Sequence, residues 1–393
     1  MLKNLNYPLN ELDQNVGFYF SEALKRPLAK PYWIFISLSH QCNFNCQMCG
    51  VKKVLKEHEL DFDTLKRALD EIAGWGSDCV VLFTGGEPFL RKDIFDIINY
   101  SVSKGIKTEV VNNGSLINNP QIAGKVVESG LKNIAISLDG ANYQTHDHIR
   151  GVPGAFKKAV SAFGYLREEK KRRGSGPQIS MWTTIMKENV EELDEMLFLA
   201  EDLGVECLVY HPVIVTQEDM QNTLKSGHFW VTDDQLNTLK SKIDKLVEYK
   251  TKNGMVAFLH DPYLWLKYFQ GAVTKNDWKC NPFVFIDIGP DGFVRSCGPA
   301  FGNIKELSLT ECLHTKEAKC ARERMLLCQK PCLQTCWGWQ EAVSLVDITK
   351  SFISKVDSSD GKNVDKKKII NEGIELLDRY NRIVIEDYKA KND

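Results

Sequence analysis

The sequence has no apolar run near the 18 or so residues that a membrane span needs. Its N-terminus, MLKNLNYPLNELDQN, lacks a charged head followed by an apolar block, so no secretory signal is read there. Charge of one sign is also missing. Fifty basic side chains stand against fifty-two acidic ones, a net charge of −2, which gives no electrostatic reason to expect nucleic acid as a partner. Repeats and low-complexity tracts are absent. Cysteine is too sparse for a disulfide scaffold, with twelve in 393 residues. These absences leave a globular, cytoplasmic protein of two or three domains as the expectation.

The cysteines are few but uneven. Three lie within eight residues, Cys42, Cys46 and Cys49, and seven lie between Cys280 and Cys336. In a reducing compartment, thiol clusters more often bind metal than form disulfides.

From residue 32 to about 210, short β-rich runs alternate with helical patterns. Strands are expected at 32–38, 79–83, 107–111, 133–137, 178–185 and 206–211, each rich in Val, Ile or aromatics as buried parallel strands are. The stretches between them carry apolar residues at helical spacing, and several end at Gly. Six βα repeats predict a parallel sheet with right-handed crossovers, as an open sheet or as a full or partial barrel. The loops after the first four strands are dense in functional residue types: SHQCNFNCQMCG, TGGEP, NNGS and SLDG. All emerge at the carboxyl ends of parallel strands, where α/β active sites form, and so share one mouth.

The spacing Cys42-x3-Cys46-x2-Cys49 supplies three thiolates, one short of a tetrahedral zinc site. It suits three irons of a cubane with the fourth iron open. A zinc knuckle completed by His40 or a distant cysteine is the alternative. In Thr84-Gly85-Gly86-Glu87-Pro88, two glycines let backbone approach a ligand, and Glu87 offers acceptors to an ammonium group.

CNFNCQMC, TGGEP, NNGS and SLDG, in this order and spacing over residues 32–215, resemble the radical S-adenosylmethionine enzymes. The resemblance implies a partial (β/α)6 TIM-like barrel. It also implies a 4Fe–4S cluster on Cys42, Cys46 and Cys49, with S-adenosylmethionine chelating the open iron. Gly85, Gly86 and Glu87 would then hold the methionine amino end. Ser137 and Asp139 would meet the ribose or the methionine portion, and Arg150 the carboxylate. Asn112 or Asn113 would approach from the third loop, and Tyr210 would contact adenine. Met48 stands where many members carry an aromatic, and Thr183 and Thr184 replace a glycine-rich adenine motif.

The later group, Cys280-x11-Gly292-x4-Cys297 with Cys328, Cys332 and Cys336, is similar to the SPASM or twitch extension of that superfamily. This likeness implies a small C-terminal α+β hairpin-and-helix domain holding one auxiliary 4Fe–4S cluster, with one of the last three cysteines spare. Structural zinc is the alternative. Cys312 and Cys320, on a helical stretch, read as ordinary thiols. Gly298 follows Cys297 where sulfatase-maturing relatives have Asp, which disfavours that reaction.

The expected organisation is a lead-in at 1–30, the barrel at 31–230, connecting helices at 231–278, the auxiliary domain at 279–340 and a helical tail at 341–393. His146 and His148 are placed in a loop at the mouth, and they and His211 read as satisfied polar residues. Tyr263, Trp265, Tyr268 and Phe269 read as core. The substrate is left open between a small molecule, lipid or saccharide and a peptide. Only about 30 residues precede the first strand, too few for a peptide-binding domain, which shifts weight toward the small molecule. A flavodoxin or ferredoxin is the implied electron donor.

Overall fold

The computed structural model describes residues 7–51, 59–76, 78–213, 229–258, 261–274, 276–277, 280–328, 333, 348–350, 352–354 and 366–392. Its centre is one ten-stranded sheet. Six parallel strands follow the chain: β1 (Trp33–Ser37), β2 (Val80–Thr84), β3 (Lys107–Asn112), β4 (Asn133–Ser137), β5 (Gln178–Ile185) and β6 (Cys207–Pro212). All six lie where the sequence places them. A seventh, β7 (Val256–Phe258), adds parallel to β6. Three residues leave too short a pattern to read in advance.

On the other edge, β8 (Phe285–Ile288) pairs parallel with β1, Trp33 opposite Phe285 and Phe35 opposite Asp287. It turns back through Gly289 and Gly292 into β9 (Phe293–Arg295), which pairs with β10 (Gly302–Asn303). The hairpin expected in a separate auxiliary domain therefore continues the barrel sheet. The strands run β10-β9-β8-β1-β2-β3-β4-β5-β6-β7 without closing, which is a partial barrel.

The strands sort their side chains by alternation. Ile34, Ile36, Val81, Phe83, Val110, Ile134 and Ile136 face the helices and join one continuous core. Burying each such side chain contributes about 1.5–3 kcal/mol. The opposite face carries Ser37, Thr84, Ser137 and Thr184 at its carboxyl-end positions. Helix starts are capped by side chains. Asp61 accepts the Thr64 N–H at 2.8 Å ahead of α2 (Phe62–Gly74), and Asn119 accepts that of Ile122 at 2.9 Å.

Four elements differ from expectation. The lead-in, whose sequence reads as irregular or partly helical, carries one 18-residue helix, α1 (Tyr7–Leu24), which packs on the terminal helix Lys366–Asn392 through Val16, Phe20 and Tyr380. The segment with His146 and His148 is a helix, Tyr143–Arg150, ended by left-handed Gly151. Residues 308–327 form two helices, Leu309–His314 and Lys316–Leu327, because Thr315 leaves the helix and caps the second one. Tyr263 is exposed and donates to Asp244 at 2.9 Å, whereas Trp265, Tyr268 and Phe269 are core. Of the stretch 357–368, whose sequence reads as a polar linker, residues 357–365 lie outside the described residues and 366–368 begin the terminal helix. Among the described residues, no helix is long and apolar enough to cross a membrane.

Candidate active site

The cysteine loop leaves the carboxyl end of β1. Ser39 turns it by accepting the Gln41 N–H at 3.0 Å, and the Cys42 sulfur accepts the Phe44 N–H at 3.4 Å. The next turn is held from outside. Asn45 N donates to Arg150 O at 3.2 Å and Gln47 N to Ile149 O at 2.9 Å, while the Gln47 amide reaches His148 O at 2.7 Å. The end of helix Tyr143–Arg150 thus supplies its last three carbonyls to the cysteine loop, that of His148 while also accepting Gly151 N at 3.2 Å. Gly151 permits this approach, because a Cβ there would collide with Asn45 O.

Cys42, Cys46 and Cys49 line one cavity of about 400 Å³. Phe44 and Met48 line it beside them. Gly85, Gly86, Asn113, Ser137 and Arg150 form other parts of the wall, and Thr184, His211 and Val213 close the β5–β6 side. Among the described residues, no three His, Cys, Asp or Glu side chains converge closely enough for a single metal ion. Three thiols lining one wall supply the donor set of a cubane in which each thiolate takes a separate iron. His40 does not line the cavity. Burial raises the Cys42 thiol, and it raises the Cys46 thiol against the opposing pull of Arg150.

Gly85 and Gly86 line the cavity, but their first service is to the fold. A Cβ on Gly85, which sits at φ +120°, would lie 2.6 Å from Ser39 O, and one on Gly86 would run into the backbone of Gln41. Without side chains they let Gly86 N donate to Ser39 O and Glu87 N to Gln41 O, both at 2.7 Å. Glu87 does not reach the cavity. It is 1% exposed, and its carboxylate accepts from Phe89 N at 3.0 Å and Asn113 N at 2.8 Å. The expected ammonium contact by its side chain is therefore corrected to a tie between two loops. Asn113 does face the cavity and donates to Asn43 Oδ1 at 2.9 Å. Asn112 also lines it, and its amide is used by Ala135 O at 2.9 Å.

Ser137 and Arg150 stand on the wall as expected, whereas Asp139 stands behind it. Asp139 is fully buried. It holds the Arg150 Nη2 at 2.6 Å and accepts the Thr184 N–H at 2.8 Å, so it positions the site without touching it. His146 is fully buried and accepts the Asp139 N–H at Nδ1, 3.0 Å away. Burial, aided by Arg150, holds its imidazole well below the ordinary histidine range.

Tyr210, expected at adenine, does not line the cavity. Strand alternation turns it to the helix side, fully buried, with its hydroxyl donating to Leu193 O at 2.6 Å. His211 takes the inward position and lies 3.4 Å from Thr184 Oγ1. Val111 and Thr84 also line the cavity, and the same alternation at the carboxyl ends of β2 and β3 would have singled them out.

At the other end of β1, Cys280 and Cys297 pack against Phe285, Met325, Trp33 and Phe35. Cys328 follows the helix Lys316–Leu327. Cys332 and Cys336 lie outside the described residues. Cys312 is buried in the main core and Cys320 is exposed on its helix.

Residues 36–200 match the family model described as the radical SAM superfamily. An AdoMet-dependent heme synthase of Methanosarcina barkeri is 34% identical over 46% of this chain and 50% of its own length. An Fe-coproporphyrin III synthase of the same organism is 32% identical over 64% of this chain and 57% of its own. A PqqA peptide cyclase of Granulibacter bethesdensis is 24% identical over 72% and 73%. The chain thus spans about half the length of the first two. In fold it resembles anSMEcpe with bound AdoMet, at TM-score 0.60 and 15% identity over 90% of this chain and 100% of that one. It also resembles Streptococcus suis SuiB bound to S-adenosylmethionine, at TM-score 0.58 and 16% identity over 73% and 66%.

Proposed function

We propose, from the match of residues 36–200 to the radical SAM superfamily model, that this chain is a radical S-adenosylmethionine enzyme and that the cysteine-lined cavity is where it cleaves S-adenosylmethionine to start a C–H abstraction. The observation that carries this reading is the meeting of Cys42, Cys46 and Cys49 with Gly85, Gly86, Ser137 and Arg150 on one cavity. Held by Cys42, Cys46 and Cys49, a 4Fe–4S cluster would supply the one-electron reduction of S-adenosylmethionine on which hydrogen abstraction from an unactivated C–H of the substrate depends.

Each residue has its own part in this reading. Cys42, Cys46 and Cys49 hold three irons. The Gly85–Gly86 backbone faces the methionine amino end, and Ser137 and Arg150 its carboxylate. Phe44 and Met48 shield the cluster from water. Thr184, His211 and Val213 form the wall met by adenine and substrate. Cys280 and Cys297, with partners among Cys328, Cys332 and Cys336, hold one auxiliary 4Fe–4S cluster. Such a cluster would supply an electron acceptor or an anchor for substrate. A flavodoxin or ferredoxin supplies the first electron.

The substrate we favour is a small molecule, and the two relatives named for heme and Fe-coproporphyrin III synthesis point to a tetrapyrrole. A peptide substrate delivered by a separate partner is the second reading. The relative named PqqA peptide cyclase, matched over 72% of this chain, favours it. A non-catalytic zinc or electron-carrying protein has no use for the cofactor-sized cavity that TGGEP and SLDG enclose.

Anaerobic purification tests the reading. The protein should be brown, hold about eight irons per chain with both cubanes full, and release 5′-deoxyadenosine with dithionite and S-adenosylmethionine. Replacing Cys42, Cys46 and Cys49 by Ala should abolish that release and leave the auxiliary iron. A colourless, zinc-bearing protein would overturn the reading.

A further inference from the structure

Arg150 is 8% exposed and ends a helix whose last carbonyls are bonded to Asn45 and Gln47, so its backbone is fixed to the cysteine loop. Its guanidinium has two partners. Nη1 points at the Cys46 sulfur at 3.7 Å, and Nη2 pairs with Asp139 Oδ2 at 2.6 Å. Nε is buried with no hydrogen-bond partner. A cation on a cofactor wall usually has one anionic task. This one faces a cluster thiolate on one side and a fully buried carboxylate on the other.

We propose that Arg150 is a positioning residue for the cluster itself: its N–H bond to the Cys46 thiolate sets the cluster's reduction potential, and Asp139 sets how much of the guanidinium charge the thiolate feels. This rests on the reading above that the trio holds a 4Fe–4S cluster. Reduction adds a negative charge to the cluster, so donors and cations at its sulfurs favour the reduced form. In a buried site such charges are screened little. Removing Arg150 therefore drives the potential down. Removing the Asp139 charge leaves the guanidinium uncompensated and drives it up. The fixed backbone denies Arg150 a helix-end movement that would release Cys46.

The experiment is a redox titration followed by electron paramagnetic resonance on reconstituted full-length protein. It is run without S-adenosylmethionine, so that a carboxylate contact contributes nothing. The trio's signal is the one lost when Cys42, Cys46 and Cys49 are replaced by Ala. Arg150→Gln should move its midpoint to a more negative value. Asp139→Asn, which keeps an acceptor for Thr184, should move it to a more positive value. Arg150→Lys should fall between wild type and Arg150→Gln. If Arg150→Gln fails to hold iron, the positive shift in Asp139→Asn is still required. Midpoints equal to wild type in the variants that hold iron overturn the proposal, even where cofactor affinity weakens, since Arg150 would then serve the cofactor alone. A wild-type protein with no cluster at the trio sinks the proposed function instead.

Discussion

The Glu87 carboxylate accepts the backbone N–H of Asn113 at 2.8 Å and so fastens the loop after β2 to the loop after β3. Its other oxygen accepts Phe89 N at 3.0 Å. A carboxylate that reads as a ligand for an external ammonium spends both oxygens on backbone, leaving Gly85 and Gly86 as the part of the motif that faces the cavity.

That burial makes a pH prediction. Burial pushes the Glu87 carboxyl from its ordinary 4.5 up to about 7, against the two N–H donors and Arg150. A group raised in the folded state binds more protons folded than unfolded between those values. Its contribution is full below about 4.5 and is lost as the pH rises to about 7. The span corresponds to about 3 kcal/mol. The stability of the iron-free chain relative to Glu87→Gln should fall across that window and level above it, by melting temperature at pH 5, 6, 7 and 8. A pH-independent difference would refute the assignment.

The close approach of two backbones gives a second prediction. Gly86→Ala forces a methyl into the backbone of Gln41, one residue before Cys42. Backbone cannot yield as a flexible side chain does, so the cysteine loop should detach. Iron at the trio should fall to a small fraction of wild type, and 5′-deoxyadenosine release with it, while auxiliary iron stays. Full iron in Gly86→Ala would show that the loop tolerates displacement.

Strands were legible in the sequence because each is a short run of Val, Ile and aromatics with helical patterns between. The four loops were legible because their residue types are costly unless used. What escaped was the direction of side chains. Tyr210 and His211 are adjacent on β6, and only the register of the alternation decides which one enters the barrel. Glu87 escaped because its partners are the backbone groups of Phe89 and Asn113, which carry no residue signature. The hairpin's union with β1 escaped because parallel pairing across some 250 residues leaves no local trace.

Tyr210 provides a third prediction. Its hydroxyl is spent on Leu193 O, outside the cavity. Tyr210→Phe should cost about 1 kcal/mol of stability, the worth of one hydrogen bond, and leave S-adenosylmethionine affinity as in wild type. His211→Ala, one residue on, should instead weaken cofactor binding or product formation, because it removes part of the cavity wall. A Tyr210→Phe variant that binds the cofactor several-fold more weakly would return adenine contact to the tyrosine.

Arg91 supports the last prediction. Its side chain, 5% exposed, donates from Nη1 to Leu60 O at 2.7 Å and Leu38 O at 3.3 Å, and pairs with Asp93 through Nε and Nη2 at 2.8 and 2.7 Å. Leu38 stands just before the cysteine loop and Leu60 ten residues beyond its end at Gly50, so one guanidinium ties together the chain on either side of the loop. Arg91→Met keeps the bulk but leaves two carbonyls without this donor and Asp93 without its cation. Unsatisfied buried groups cost about 1–3 kcal/mol each, enough to open the loop before the barrel. The variant should keep its far-ultraviolet circular dichroism, melt several degrees lower and retain little iron at Cys42, Cys46 and Cys49. Arg91→Lys, whose single ammonium lacks the fork that spans carbonyls and carboxylate together, should recover only part of that iron. Wild-type iron content in Arg91→Met would mean that the loop holds its shape from within, through the turns at Cys42 and Cys46 alone.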